Sequence, residues 1–251
     1  MKINLFPFTL SLFISLHLFA QDQVTSYSKK EVMIPMRDGI NLFTIVRAPA
    51  NSTKSVPILL IRSPYGANNL DDHKFIEWAY VAGMAAEGYI FVIQDIRGKY
   101  KSKGAMQIHQ PLIHATQKNA VDESTDTWDT IDWLIKNVPG NNGNAGIFGI
   151  SYPGWLALVG AVDPHPALKA ASEQACMGDL FLGDDFHHNG AFRLSYGLQY
   201  SYGVEFDKTT GSNFPFPQYD LYDWYLNLGS LKNVNEKYCY FLSPSLRHFC
   251  I

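Results

Sequence analysis

This sequence of 251 residues has few cysteines and little clustered positive charge. Its 20 lysines and arginines nearly balance its 23 aspartates and glutamates, which gives a net charge of −3, and the chain contains no basic run. Nucleic acid and anionic membrane surfaces are therefore not expected partners, because both bind through clustered positive charge. Three cysteines are too few for a disulfide framework and lack metal-ligand spacing, so we expect no metal and no cofactor.

The first 20 residues are typical of an export signal. Lys2 supplies a short positive region, residues 6–18 form an apolar core, and Ala20 offers a small residue for cleavage before Gln21. The apolar stretch is shorter than the ~20 residues that span the hydrocarbon core of a bilayer. We therefore expect a signal peptide over residues 1–20, no stable membrane anchor, and a secreted or periplasmic protein.

Hydrophobic side chains are abundant: 47% of the residues are hydrophobic, 14% are aromatic and only 17% are charged. This composition permits a large core and excludes intrinsic disorder. Strands are predicted at residues 32–35, 41–48, 56–62, 89–95, 145–150 and 169–174, and helices at residues 75–87, 120–137 and 152–162. Asp122 or Ser124 is expected to cap the second helix. The alternation predicts an α/β fold with a mostly parallel sheet and helices on both faces.

One short segment, Gly149-Ile-Ser-Tyr-Pro-Gly154, places a serine between an apolar strand and an apolar helix. Pro153 suits the first helical turn, and the two glycines let strand and helix approach closely. Ser151 would then project from a nucleophile elbow beside the positive end of the helix. The generic elbow has glycine two residues after the serine, where this chain has Pro153. A serine that caps a buried helix fits the same string.

Four motifs in order carry a resemblance to a known family: Met36-Arg-Asp-Gly39, Arg62-Ser-Pro-Tyr-Gly66, Gln94-Asp-Ile-Arg-Gly98 and Gly149-Ile-Ser-Tyr-Pro-Gly154. Together they resemble the X-Pro dipeptidyl-peptidase family of α/β-hydrolases. The stretch 183–192 is most similar to the α-amino acid ester hydrolases, whose relatives include glutaryl acylases and cocaine esterase. The resemblance implies a truncated α/β-hydrolase fold, with a partial hydrolase domain over residues 21–178 and the start of a helical cap over residues 179–238.

The resemblance also implies roles for particular residues. Ser151 would attack an ester or amide carbonyl, and the backbone N–H of Tyr152 and the hydroxyl of Tyr65 would stabilise the oxyanion. Read without the family, Tyr65 is a turn residue after a proline. Asp185, with Asp184 as the neighbouring candidate, would hold a substrate's α-ammonium group in a carboxylate cluster. A helix-capping role for either acid is the alternative.

Two other pairs of polar residues are expected to be structural. Asp95 and Arg97 close the fourth strand, and a carboxylate and a guanidinium at this spacing are expected to pair and to pin the following loop. His187 and His188 are expected to pack within the cap, because a triad histidine does not follow the nucleophile so soon.

The implied function is that of a secreted serine hydrolase that acts on small esters or amides, with α-amino acid esters or β-lactam acyl compounds as substrates. An X-Pro dipeptidyl peptidase or a glutaryl acylase is the alternative among enzymes. A homo-oligomer is an option for the full-length protein.

The end of the sequence resembles no part of the family. In this fold the triad aspartate and histidine follow the nucleophile and any cap, and the sequence supplies neither there. Residues 239–251 are expected to be an aberrant tail, produced by a frameshift or a premature stop. A non-catalytic exported fragment that lacks the triad acid and base is therefore the third hypothesis.

Overall fold

The computed structural model describes residues 26–71, 75, 81–113, 119–206, 208–209, 211, 213–230 and 232–238. The predicted signal peptide (1–20) and the predicted aberrant tail (239–251) lie outside the described residues. Within the described ranges, no helix combines the length and the apolar character needed to cross a bilayer.

The described elements alternate as the sequence predicts. The strands are β1 Tyr27–Pro35, β2 Asn41–Pro49, β3 Val56–Ser63, β4 Ile90–Asp95, β5 Asn141–Ile150, β6 Leu168–Gln174, β7 His187–His188 and β8 Ala191–Phe192. The helices are α1 Ala67–Leu70, α2 Ala82–Ala86, α3 Glu123–Asn137, α4 Tyr152–Gly160, α5 Leu194–Glu205, α6 Leu221–Leu228 and α7 Lys232–Tyr238. Of the predicted helix over residues 75–87, the structure confirms α2, and residues 76–80 are outside the described part.

Six strands form the central sheet in the order β1-β2-β4-β3-β5-β6. The four strands β3 to β6 run parallel, whereas β1 and β2 form an antiparallel pair at one edge. The α/β fold with a mostly parallel sheet is thus confirmed. The chain leaves β3 toward β4 and later returns to β5 on the opposite side of β3. A crevice opens at the carboxyl ends of the strands at such a change of direction, and ligands bind there in open α/β sheets.

The sheet is covered on both faces, which explains why the central strands carry buried apolar side chains on both sides. All residues of β4 are buried, and successive side chains point to opposite faces. Val92 packs with Ile131 of α3 in the cluster on one face. Phe91 packs with Phe75 and Val81 in the cluster on the other face.

Helix α3 begins at a cap that the sequence left open between two residues. The carboxylate of Asp122 accepts the backbone N–H groups of Ser124 and Thr125, and the Thr125 hydroxyl accepts the N–H of Asp122 in return. The cap is therefore Asp122. The hydroxyl of Ser124 instead donates to the carbonyl of Val162, 2.6 Å away, after α4.

The segment after β6 is the one predicted to begin a helical cap, and we call its described part the cap. It contains the short hairpin β7–β8 and the helices α5, α6 and α7. Its own apolar cluster joins α5 to α6 and α7 through Leu198, Tyr202, Phe214, Trp224 and Val234. The other side of α5 packs against α4 of the body through aromatic side chains.

Candidate active site

A strained turn joins β5 to α4 at Ser151. The backbone φ of Ser151 is 62°, in the left-handed region, with ψ at −124°. A Cβ atom added at Gly149 would lie 2.3 Å from the backbone of Pro153, and one added at Gly154 would lie 2.5 Å from the carbonyl oxygen of Gln174. Only glycine fits at both positions. The strain places the serine side chain outside the strand-helix packing, and residue 151 is exposed.

Ser151 does not cap α4 with its side chain, so that reading of the sequence is wrong. As the first residue of α4, Tyr152 has a backbone N–H without an intrahelical acceptor. This N–H group and the positive end of the helix dipole lie beside Ser151, where they can stabilise negative charge.

Tyr65 meets Ser151 because of the strand order. Strands β3 and β5 are parallel neighbours, with Leu60 opposite Ile147, so the loops that follow them lie at the same edge of the sheet. Tyr65 follows β3, and its hydroxyl lies close enough to the Ser151 side chain for that side chain to lower the pKa of Tyr65.

The loop that carries Tyr65 is held by Asp95 at the end of β4. The Asp95 carboxylate accepts the backbone N–H of Ala67 and that of Lys101, the latter at 3.3 Å. Burial raises the pKa of Asp95 to about 6, against these two hydrogen bonds, which lower it. The predicted pairing of Asp95 with Arg97 is wrong.

Arg97 pairs elsewhere because its side chain points toward α3 and the β1–β2 turn. It contacts Asp126 and Asp38, each at 2.7 Å. Asp95 instead faces the loop that follows the neighbouring strand β3. Two residues that are two positions apart in the sequence therefore hold different loops.

Two tyrosines of α5 extend the site beyond Tyr65. The hydroxyl oxygens of Tyr200 and Tyr65 are 3.0 Å apart, and the Tyr196 ring stacks on the Tyr200 ring at 5.7 Å with 11° between the planes. Burial is the main cause that raises the pKa of all three phenols, so each keeps its proton. This pair of tyrosines was not predicted from the sequence. Their spacing of four residues on one helix face is the signal that points to it.

The two predicted acids differ in position. Asp185 is exposed, and its Oδ2 accepts a hydrogen bond from the hydroxyl of Tyr196 at 3.4 Å. The Asp184 side chain accepts the backbone N–H of Asp185 in the turn before the hairpin. Neither acid caps a helix, because α5 begins after Arg193 without a side-chain cap. The structure therefore links Asp185, and not Asp184, to Ser151 through the tyrosines.

A cleft of about 670 Å³ lies beside these tyrosines. Its lining includes Tyr65, Tyr196, Tyr200, Gln199, Asn213 and Arg193. Arg193 lies over the Tyr196 ring, 5.2 Å from its centre, and donates to the carbonyl of Asp185 at 3.0 Å. The cleft thus offers aromatic walls, phenolic hydroxyls and the positive charge of Arg193, and Asp185 reaches it through the Tyr196 hydroxyl.

The predicted packing of the histidines is confirmed for His187, whose ring lies 5.1 Å from that of Phe192, and is wrong for His188, which is exposed.

His109 supports the elbow from inside the body. Its ring stacks on Tyr152 at 4.4 Å, and its backbone N–H donates to the Tyr152 hydroxyl at 3.0 Å. The side chain is buried, and its Nε2 has no hydrogen-bond partner among the described residues. Burial without a partner lowers the pKa of His109 to about 4.

The lowered pKa of His109 predicts acid-sensitive folding. The unfolded chain takes up a proton on His109 near pH 6.5 and the folded chain only near pH 4, so stability is lost as the pH falls through this window. We expect His109→Phe to match the wild type within about 1 kcal/mol at pH 7.5. At pH 4.5 the variant should be more stable by about 2 kcal/mol.

Urea unfolding of both proteins at the two pH values measures this difference. Asp95 titrates in the same window with the opposite sign, because its raised pKa favours folding at low pH. Comparing variants at each pH cancels that contribution. His188→Gln, at an exposed histidine, is the matched control and should follow the wild type. Parallel curves for His109→Phe and wild type would contradict the assignment.

The family comparison matches most of the chain. A family model described as X-Pro dipeptidyl-peptidase (S15 family) matches residues 38–223. Among curated proteins, the cocaine esterase of Rhodococcus sp. (strain MB1 Bresler) is 31% identical over 174 residues, which cover 68% of this chain and 27% of that protein.

Two solved structures are also similar to most of this chain. An aminopeptidase from the marine sediment archaeon Thaumarchaeota archaeon is 39% identical, with a TM-score of 0.74 over 85% of this chain and 36% of its own. An α-amino acid ester hydrolase is 34% identical, with a TM-score of 0.77 over 98% of this chain and 40% of its own. The chain therefore spans well under half the length of these relatives.

Proposed function

We propose, because the chain belongs to the X-Pro dipeptidyl-peptidase (S15) family, that Ser151 is the nucleophile of a serine hydrolase that forms an acyl-enzyme with small esters or amides. The observation that carries the proposal is the exposed Ser151 on its strained turn at the start of α4, with the hydroxyl of Tyr65 beside it. A serine between two donors at a helix N-terminus is the arrangement that stabilises the oxyanion of acyl transfer.

The chemistry follows from the geometry of the turn. The Ser151 oxygen adds to the substrate carbonyl, and the carbonyl oxygen becomes negative as the tetrahedral intermediate forms. The N–H of Tyr152 and the hydroxyl of Tyr65 donate to this oxygen. Both donors are fixed before the reaction begins, since one belongs to α4 and the other is hydrogen-bonded to neighbouring side chains. The intermediate then collapses to an ester on Ser151 as the bond from the carbonyl carbon to the leaving group breaks. The proton that the Ser151 hydroxyl loses ends on the departing alcohol or amine.

The substrate class we propose is an α-amino acid ester or a β-lactam-type acyl compound. Asp185 carries the argument, because its exposed carboxylate joins Tyr196 at the cleft and can pair with an α-ammonium group. The aromatic walls of Tyr196 and Tyr200 suit an apolar acyl side chain. The α-amino acid ester hydrolase among the structural relatives is consistent with this choice. The signal peptide and secretion belong to the same proposal.

The test measures acylation of the chain directly. The chain is mixed with a fluorophosphonate, and peptide mapping locates the adduct, which we expect at Ser151. The rate at which one equivalent of p-nitrophenol is released is then measured with two p-nitrophenyl esters. These are the esters of phenylglycine and of phenylacetic acid, which differ only in an α-ammonium group. The phenylglycine ester should react about tenfold faster, and Asp185→Asn should remove the preference.

Each outcome separates the hypotheses. Preferred acylation by a glutaryl ester or by an X-Pro anilide overturns the substrate class but leaves the serine nucleophile in place. Asp184→Asn is the matched control, since Asp184 contacts the turn and not Tyr196, and it should keep the preference. A chain that takes no label at Ser151 overturns the enzyme proposal in favour of a non-catalytic exported fragment.

A further inference from the structure

The hydroxyl of Tyr65 has a second neighbour besides Ser151, and that neighbour comes from the cap. Tyr200 of α5 places its Oη 3.0 Å from the Oη of Tyr65. A phenolic hydroxyl has a single proton and two acceptor positions. The direction of hydrogen bonding along Ser151, Tyr65 and Tyr200 therefore decides where the Tyr65 proton points.

Only one direction serves the oxyanion. If Tyr65 donates to Tyr200, its proton points into the cap and the oxygen beside Ser151 offers only lone pairs. If Tyr200 donates to Tyr65, the Tyr65 proton turns toward Ser151 and the substrate carbonyl. The second direction is favoured once an oxyanion forms beside Ser151, because the negative oxygen attracts the single proton of Tyr65. The 3.0 Å contact between the two phenols is then a hydrogen bond only with Tyr200 as its donor.

We propose that Tyr200 is a positioning residue that donates its hydroxyl proton to Tyr65 and thereby aims the Tyr65 proton at the oxyanion formed on Ser151. The inference rests on the proposed function. It gives the cap a part in catalysis, because the body supplies Ser151 and Tyr65 whereas α5 supplies the group that orients them.

A purely structural role for Tyr200 makes a different prediction. The Tyr200 ring packs on Tyr196 and on Phe186, in each case with ring centres 5.7 Å apart. Tyr200→Phe keeps both ring contacts and removes only the hydroxyl. A packing role therefore leaves the reaction of Ser151 unchanged in this variant, whereas the positioning role slows it.

The experiment is a double-mutant cycle on the 251-residue chain. The second-order rate of fluorophosphonate labelling is measured for wild type, Tyr65→Phe, Tyr200→Phe and the double variant. The phosphoryl oxygen of this probe occupies the position of the oxyanion. We expect Tyr200→Phe to slow labelling about tenfold in the wild-type background and by less than about twofold when Tyr65 is already phenylalanine.

The matched control removes a hydroxyl from the other side of the same helix. Tyr202 is buried in the cap cluster against Phe206 and Phe214, and Tyr202→Phe should label at the wild-type rate. Thermal unfolding of each variant checks that the fold is retained. The cycle tests the coupling of the two hydroxyls, which a loss of stability alone would not reproduce.

The outcomes separate the inference from the function on which it rests. A wild-type chain that labels at Ser151, with Tyr200→Phe equally fast or equally slowed in both backgrounds, overturns the positioning role and leaves the nucleophile. Absence of labelling at Ser151 in the wild type overturns the proposed function and the positioning role together. A slowing that vanishes in the Tyr65→Phe background supports the inference.

Discussion

Replacing Ser151 with alanine is expected to reduce fluorophosphonate labelling of the chain to the background of other serines, a drop of at least about 10³-fold. The reason is that the probe reacts with an activated hydroxyl. Among the described serines, Ser151 is the one that is exposed, precedes α4 and lies beside the Tyr65 hydroxyl. Intact-protein mass spectrometry after a fixed reaction time measures the loss.

The same position predicts a gain in stability with glycine. Ser151 has a φ of 62° and makes no side-chain cap, so glycine relieves strain without losing a hydrogen bond to the helix. We expect Ser151→Gly to be labelled no more than Ser151→Ala, yet to raise the free energy of unfolding by about 1 kcal/mol. Ser172→Ala, at an exposed serine of β6, is the control that should keep full labelling. Persistent labelling of Ser151→Ala would falsify the assignment of the nucleophile.

Replacing Tyr65 with phenylalanine is expected to slow labelling of Ser151 by about 10² to 10³-fold, the usual cost of removing one oxyanion donor. The ring stays in place, while the hydroxyl that lies beside Ser151 and bonds Tyr200 is lost. The nucleophile, the N–H of Tyr152 and the elbow are unchanged. The labelled fraction followed over time gives the rate, and peptide mapping verifies that the residual label is still on Ser151.

Tyr27→Phe is the matched control for this change. Tyr27 donates its hydroxyl to the carbonyls of Ala85 and Tyr89, each at 3.0 Å, and lies on β1, which is separated from β3 by β2 and β4 in the sheet order. Losing its hydroxyl should cost about 1 kcal/mol of stability and leave the labelling rate unaltered. If Tyr65→Phe labels within about threefold of the wild type, the second oxyanion donor is a different group.

Ser151 and Tyr65, the residues of these two predictions, differ in how far along the chain the interactions that position them extend. The serine turn is encoded within six residues, so sequence signals of short range were enough to find it. The predicted strand, turn and helix correspond to β5, Ser151 and α4. The same holds for the antiparallel start of the sheet, because β1 and β2 are joined by a short turn. The cap of α3 was narrowed by the same kind of signal to Asp122 or Ser124, and the structure selects Asp122.

Contacts between side chains far apart in the chain could not be predicted from such short-range signals. Asp95 was expected to pair with Arg97, but it holds the loop of Tyr65, whereas Arg97 binds Asp38 and Asp126. The two side chains leave the end of β4 in different directions, and β4 lies beside β3 in the sheet. Their partners follow from the order of the strands, which the local sequence around residue 95 does not contain.

By itself the sequence determined the elements, their order and the identity of the serine, because glycine, proline and hydrophobic period act over a few residues. Only the tertiary structure decided which side chains surround that serine. Tyr65 and Tyr200 are 135 residues apart, and their hydroxyls meet because β3 ends beside β5 and α5 packs over that edge. The direction of a hydrogen bond between two such distant groups is a property of the folded chain, since it depends on burial and on which neighbour can donate.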